Sequence, residues 1–175
     1  MAVTWIIGLS GAGKTTIARE LVAQLRDAGT CAVMLDGDAL REVWGDDLGH
    51  TLEDRRRNAW RICRLCKLLD GQGVEVVCAI LSLFEETRAW NRAHLSRYVE
   101  VFLDVPMEEL KARDRRGLYR GAAEGHVKNV AGVDLPFERP RNPDLVLTNG
   151  ANSDSPGAAA AKIAALLHER HEGAR

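Results

Sequence analysis

The sequence predicts an α/β fold, with a parallel sheet of about five strands and helices on both faces. Two observations carry this prediction. Short, almost continuously apolar runs rich in β-branched residues alternate along the chain with longer segments of helical periodicity. The 175 residues match the length of one domain, and no repeat, linker or change of composition divides them. We therefore expect a single domain over residues 1–175.

Each predicted strand is an apolar run bounded by a glycine, a proline or an acidic turn. These runs cover residues 3–8, 31–35, 74–81, 99–105 and 145–148. Each predicted helix has apolar residues three and four positions apart, and some begin at a capping residue or end at a glycine. These segments cover residues 14–28, 51–69, 84–95, 106–113 and 158–169. The strict alternation of the two kinds of segment is typical of a parallel sheet.

Residues 117–143 are rich in glycine, proline and charge, which predicts an irregular segment. A loop of this length inside a compact domain is usually a binding segment or a lid. We therefore expect a lid over about residues 115–143.

The composition excludes several classes of protein. The chain has 24 Lys and Arg against 25 Asp and Glu, so a broad basic face for nucleic acid or an anionic membrane is not expected. No apolar run approaches the roughly 20 residues needed to cross a bilayer, and the N-terminus lacks the basic start of a secretory signal. We expect a cytoplasmic protein that binds a small molecule.

The cysteines do not indicate a functional site. A disulfide framework is not expected in the cytoplasm. Cys63 and Cys66 lie in the middle of a predicted helix and have no second pair with which to bind zinc. Core packing is the better interpretation.

The segment from Gly8 to Thr15 fits the pattern G-x-x-x-x-G-K-[ST] and lies between a predicted strand and a predicted helix. In such a phosphate-binding loop, backbone amides surround the phosphate oxygens of a nucleotide. Lys14 is expected to reach the β- and γ-phosphates, and the Thr15 hydroxyl to bind Mg²⁺. The expected contacts with ATP are Gly8, Ser10, Gly11, Ala12, Gly13, Lys14, Thr15 and Thr16.

An acidic turn, Asp36-Gly37-Asp38, follows the second predicted strand. The carboxyl ends of parallel strands border the ligand crevice, so both carboxylates can face the phosphate-binding loop. One could act as a base towards an acceptor hydroxyl, and the other could hold the metal or its waters. The alternative is an ordinary Asp-Gly turn with solvated carboxylates.

Arginines near the start of the second predicted helix suggest an anionic acceptor. Arg55 and Asn58 share one helix face, and Arg41 could join Arg55 in a clamp, because guanidinium binds phosphate or sulfate oxygens through two hydrogen bonds. Arg115 and Arg116 could close over the phosphates from the lid. In each case the alternative is a solvated surface arginine.

Taken in order, these motifs resemble the adenylyl sulfate kinase family of P-loop kinases, over about residues 3–149. The resemblance depends on residues 8–16, 35–38, 48–49, 53–55, 113–114, 117–119, 128–129, 132–134, 136–138 and 142–144, with Arg41, Asn58 and Ser82. The phosphate-binding loop alone does not choose among kinases, whereas the ordered set is specific.

The resemblance implies transfer of the γ-phosphate of ATP to the ribose 3′-hydroxyl of adenosine 5′-phosphosulfate, with Mg²⁺. It implies Asp38 and Lys14 as catalytic residues, and Asp36 with Thr15 at the metal. Which of Asp36 and Asp38 is the base stays open. Residues implied at the acceptor are Asp36, Asp38, Arg41, His50, Arg55, Asn58, Leu81, Ser82, Lys128 and Val130, and Arg113 and Arg116 are implied at ATP. A homodimer is a further expectation.

The chain departs from the family pattern around the acceptor base. His50 and Val130 stand where the family usually has the two phenylalanines that sandwich the adenine, and Ser-Pro-Tyr-Arg is replaced by residues 82–85. Since stacking is worth about 1–3 kcal/mol per base, adenine recognition should weaken. The variant branch that includes cytidine diphosphoramidate kinase, from surface-polysaccharide pathways, is therefore an alternative. A nucleotide-binding module without turnover is another, against which the Asp36 and Asp38 pair argues.

Overall fold

The computed structural model describes residues 1–45, 47–150 and 153–172. Its strands are β1 (Val3–Ile7), β2 (Ala32–Asp36), β3 (Glu75–Ile80), β4 (Tyr98–Asp104) and β5 (Leu145–Thr148). Its helices are α1 (Lys14–Asp27), α2 (Gly37–Val43), α3 (Leu52–Gly71), α4 (Glu85–His94), α5 (Met107–Ala112), α6 (Leu118–Ala123) and α7 (Pro156–Glu172). The predicted fold class, a five-stranded parallel sheet between helices, is confirmed.

The sheet has the order β2-β3-β1-β4-β5, and every neighbouring pair is parallel. β1 is central, with Ile7 paired to Ile80 on one side and to Phe102 on the other. The connection that follows β1 runs to β2, on one side of β1. The connection that follows β3 crosses β1 and runs to β4, on its other side, so the direction of winding reverses at β1. Ligands of open α/β sheets bind at the carboxyl edge beside such a reversal.

The two faces of the sheet have different cores. On one face, α1 and α7 pack on apolar strand residues such as Ile6 and Val77. On the opposite face, α3 covers Trp5 and further strand residues whose side chains point away from α1 and α7. Cys63 and Cys66 of α3 are fully buried there, which confirms their interpretation as core residues.

Two short helices lie where the sequence predicted a turn and an irregular segment. α2 begins directly at the acidic turn, because the Asp36 side chain accepts hydrogen bonds from the amides of Asp38 and Ala39 and so caps the helix. α6 lies inside residues 117–143, where Asp114 accepts from the amides of Leu118 and Arg120. Both helices depend on a carboxylate contact that periodicity does not reveal.

Among the described helices, none is both long and apolar enough to cross a membrane.

Candidate active site

The loop between β1 and α1 is shaped by close backbone packing. A Cβ atom at Gly8 would lie 3.1 Å from Ala12 Cβ and 3.2 Å from the Leu103 carbonyl oxygen. Gly13 has φ 94°, in the left-handed region, and a Cβ there would lie 2.2 Å from Asn149 Nδ2. No side chain caps the first amides of α1, so they remain available to an anion at the positive end of the helix dipole.

Lys14 lies across this loop, and its Nζ donates to the Leu9 carbonyl at 2.9 Å. Burial lowers the pKa of Lys14 to about 8, against the opposing effect of Asp38 and Asp36. The two carboxylates do not offset the cost of burying the ammonium, and nucleotide phosphates would stabilise its charged form. The position and the lowered pKa both fit a phosphate ligand.

Asp36 is engaged through both carboxylate oxygens. The Thr15 hydroxyl donates to Oδ2 at 2.6 Å, while Oδ1 accepts from the amides of Asp38 and Ala39 at 3.0 and 3.4 Å. Thr15 and Asp36 thus place two hard oxygen ligands together beside the phosphate-binding loop. Among the described residues no cluster of three or more His, Cys, Asp or Glu side chains could hold a metal. Two oxygens plus substrate phosphates suit Mg²⁺, which usually keeps several non-protein ligands.

Asp38 lies in the first turn of α2 and is mostly exposed. Its Oδ2 lies 3.1 Å from Arg116 Nη1, and 82% of the Arg116 side chain is exposed. An exposed ion pair of this kind is weak and easily exchanged. Asp38 is therefore free to accept a new partner, and Arg116 is free to turn towards a phosphate.

Arg41 and Arg55 lie close together, and both donate hydrogen bonds to backbone carbonyls. Arg41 Nη1 donates to Leu48 O at 2.8 Å and to Gly49 O at 3.0 Å. Arg55 Nε donates to His50 O at 3.0 Å, and its Nη2 donates to Asn129 O in the predicted lid at 2.8 Å. One arginine thus joins the loop before α3 to the segment that holds Asn129.

The electrostatics of this cleft favour an anion. Burial and the neighbouring Arg41 lower the pKa of Arg55. Burial, Arg41 and Arg55 lower the pKa of His50 as well. Asp38 opposes both shifts, with Asp134 at Arg55 and Asp54 at His50, yet burial and the neighbouring arginines outweigh these carboxylates. A bound anion would offset the repulsion between the two guanidinium groups.

The other predicted acceptor residues have varied positions. Asn58 is buried on α3, Lys128 is exposed in the lid, and Leu81 is half-buried just after β3. Ser82 is buried with φ 50°, a left-handed conformation that costs a non-glycine residue about 1–2 kcal/mol. Val130 is only 3% exposed and packs in the core.

The burial of Val130 bears on the proposed base pocket. The sequence predicted a wall of the pocket from the side chain of Val130, opposite His50. The structure packs that side chain into the α1 side of the core, while the Val130 amide bonds Asp134. The placement of His50 is different, because its side chain is exposed at the cleft. The Val130 side chain is therefore part of the core, whereas the His50 side chain is exposed.

Arg113 and Arg116, both predicted at ATP, pair with different carboxylates. Arg113 pairs with Glu109 at 3.2 Å, and the Glu109 carboxylate lies close to Gly150, after β5. Arg116 reaches Asp38 on the acceptor side instead. The two arginines therefore make separate ion pairs, and their role at ATP stays a prediction.

Sequence reasoning missed two residues that support the loop. Asn149 Nδ2 donates to Ala12 O at 2.7 Å, and the Tyr119 hydroxyl donates to Ser10 O at 2.8 Å. Burial raises the pKa of Tyr119 to about 12, so it stays a donor. The position of Asn149 directly after β5, at the carboxyl edge of the sheet, was a usable signal. Tyr119 belongs to the motif at residues 117–119, but its segment was predicted to be irregular, so periodicity did not place its hydroxyl at the loop.

Fold and site together define a class of protein: a kinase that binds a nucleoside triphosphate in a phosphate-binding loop and carries a basic acceptor cleft beside it. The profile of the adenylylsulphate kinase family matches residues 1–148. The chain belongs to the adenylylsulphate kinase family.

Similar proteins agree with this assignment. An adenylyl-sulfate kinase of Halothermothrix orenii is 37% identical over 166 residues, 95% of this chain and 89% of that protein. The bifunctional enzyme NodQ of Rhizobium tropici is 38% identical over 98% of this chain, which spans only 27% of NodQ. The structure of the Mycobacterium tuberculosis APS kinase CysC in complex with AMPPNP and APS superposes with a TM-score of 0.88, at 35% identity, covering 95% of this chain and 97% of that one.

Proposed function

We propose that this enzyme transfers the γ-phosphate of ATP to the ribose 3′-hydroxyl of adenylyl sulfate, giving ADP and 3′-phosphoadenylyl sulfate. One observation carries the proposal: a carboxylate, Asp38, lies between two anion sites. The first is the loop with its free amides and Lys14, and the second is the cleft of Arg41 and Arg55. Membership of the adenylylsulphate kinase family supports the acceptor.

The donor site holds ATP by its phosphates. The amides at the start of α1 and the Lys14 ammonium offset charge on the β- and γ-oxygens, which grows as the bond to the leaving ADP breaks. Thr15 and Asp36 would hold Mg²⁺, which supplies further positive charge to the same oxygens. The exposed Arg116 can leave Asp38 and reach the transferred group.

Asp38 is the better of the two candidate bases. Asp36 already caps α2 and accepts from Thr15, so a change in its protonation would disturb both the helix and the metal site. Asp38 pairs with Arg116 through an exposed contact, which it can exchange for the acceptor hydroxyl. In the reaction it takes the proton of the 3′-hydroxyl while the oxygen bonds to the γ-phosphorus.

Arg41 and Arg55 hold the phosphosulfate of the acceptor. Both guanidinium groups must then exchange neutral carbonyl partners for charged oxygens, a stronger kind of hydrogen bond. The contact between Arg55 and Asn129 links this exchange to the lid. Acceptor binding and movement of residues 115–143 are therefore coupled in this proposal.

A coupled ADP assay with a panel of acceptors tests the proposal. Wild type with ATP and Mg²⁺ should release ADP fast with adenylyl sulfate, and slowly with AMP, a cytidine diphosphate derivative or no acceptor. Phosphorus NMR of the product should place the new phosphate on the 3′-oxygen. ADP release that needs no acceptor, or prefers the cytidine compound, would contradict the proposal.

The cytoplasmic location, the lid over residues 115–143 and a homodimer stay predictions. Protection of residues 115–143 from protease only with nucleotide and acceptor together would support the lid.

A further inference from the structure

A buried ionic network lies beneath the acceptor side of the sheet. Arg88 of α4 is 1% exposed and Glu100 of β4 is 2% exposed. Glu100 accepts from the Tyr98 hydroxyl at 2.9 Å and pairs with Arg92 at 3.2 Å. Arg88 Nε lies 4.0 Å from Glu100 and makes no hydrogen bond. The mechanism above uses none of these residues.

Arg88 reaches from this network to the edge of the active site. Its Nη1 donates to the Ser82 carbonyl at 3.0 Å, and its Nη2 donates to Glu85 at 2.5 Å. Ser82 follows β3 by two residues, and the strand register pairs Ile80 with Ile7 at the start of the phosphate-binding loop. Ser82 therefore leaves the sheet beside that loop.

Ser82 is held from two sides in a strained conformation. Its φ is 50°, Arg88 binds its carbonyl, and Trp5 Nε1 donates to its hydroxyl at 3.0 Å. A left-handed serine persists only where its surroundings impose it, and such residues cluster at ligand sites. Burying an arginine is unfavourable compared with an apolar side chain of similar volume, so packing alone gives no reason for Arg88.

We infer that Arg88 is a positioning residue for the acceptor: it fixes the Ser82 carbonyl, and so sets the conformation of residues 81–82, which the family resemblance implies at the acceptor. This inference rests on the proposed function. Arg88 acts through the backbone of Ser82 and touches neither ATP nor the acceptor. The planar guanidinium suits this role, because its several N–H donors can bind the Ser82 carbonyl and Glu85 of α4 at the same time.

The main test is Arg88→Lys, which keeps the buried positive charge but removes the fork. We expect the acceptor KM to rise about tenfold, with the ATP KM within about twofold and kcat reduced less than about threefold. Tyr98→Phe is the matched control, because it removes one bond to the same Glu100 without touching Ser82. In that variant both KM values should stay within about twofold of wild type.

A second measurement does not depend on activity. Since the Trp5 indole N–H is bonded to Ser82, its hydrogen exchange followed by NMR reports how firmly the turn is held. Exchange should be about tenfold faster in Arg88→Lys and unchanged in Tyr98→Phe. Glu85→Gln, at a half-exposed position, keeps the fold and should raise the acceptor KM about threefold.

The outcomes separate this inference from the proposed function. If wild type makes no 3′-phosphoadenylyl sulfate, the proposed function fails, and the indole exchange alone decides whether Arg88 holds Ser82. An unchanged acceptor KM with unchanged indole exchange in Arg88→Lys overturns the inference. Equal changes in Arg88→Lys and Tyr98→Phe also overturn it, because they would show a purely structural role.

Discussion

The donor and acceptor ends of the active site are built differently. At the donor end, backbone geometry sets the site: glycines that leave no room for a side chain, and amides left free at the start of α1. At the acceptor end, long side chains set it, and Arg41 and Arg55 are already bonded to carbonyls. The donor end is formed before its ligand arrives, whereas the acceptor end must exchange partners when its ligand binds.

The difference in construction between the two ends affects how each recognises its substrate. A backbone site recognises phosphate in any nucleotide and tolerates few substitutions. A side-chain site can change its preference through single residues, and His50 lies in this part of the cleft. Variation in acceptor choice is therefore expected at the acceptor end.

The largest effect is expected at the donor end, from Lys14→Ala. Loss of the ammonium removes charge stabilisation at the β- and γ-oxygens, so kcat should fall about 10³-fold or more. Binding of adenylyl sulfate, measured by calorimetry, should stay within about twofold of wild type. Acceptor binding that falls together with kcat would show that the two ends are not separable.

Asp38→Asn acts where the two ends meet. The amide keeps the shape of the side chain and cannot take a proton, so kcat should fall about 10²-fold while both KM values change little. Steady-state kinetics with each substrate varied would measure this. A kcat near wild type would mean that Asp38 is not the base.

Arg55→Ala tests the acceptor end alone. Removing a charge-assisted contact to an anionic acceptor should raise its KM about tenfold and leave the ATP KM unchanged. Arg57→Ala is the matched control, since Arg57 is on the same helix but exposed. If the ATP KM rises in Arg55→Ala, the cleft has been assigned to the wrong ligand.

The smallest expected effect is the uptake of a proton by Lys14 when a nucleotide binds at the donor end. Lys14 has a pKa of about 8 without ligand, and bound phosphates should raise it. At about pH 9, where most empty chains carry a neutral Lys14, binding of a non-hydrolysable ATP analogue should take up close to one proton. At about pH 6.5 Lys14 is already charged and should take up none.

Calorimetry in two buffers of different ionisation enthalpy measures this proton count. Lys14→Met supplies the control, and the difference between it and wild type isolates the contribution of Lys14. If wild type and Lys14→Met differ in proton uptake by the same amount at both pH values, the lowered pKa of Lys14 is contradicted.

The strands and the phosphate-binding loop were predictable, because buried parallel strands are apolar runs and the loop has a fixed spacing. The cap of α2 was not, since an Asp-Gly turn and a capped helix start with the same letters. Nor was the burial of Val130, which depends on how the lid packs. Arg88 also gave no signal, because a buried arginine in a polar helix has the sequence pattern of a surface one.

The contact between Asn149 and Ala12 joins residues 137 positions apart. The donor loop lies near the start of the chain, yet its support follows β5, an edge strand of the sheet. During folding, the loop can therefore reach its final form only after the C-terminal part of the chain has joined the sheet. A nucleotide that binds this finished loop stabilises the complete fold by mass action. ATP thus favours folded chains in which β5 is in place.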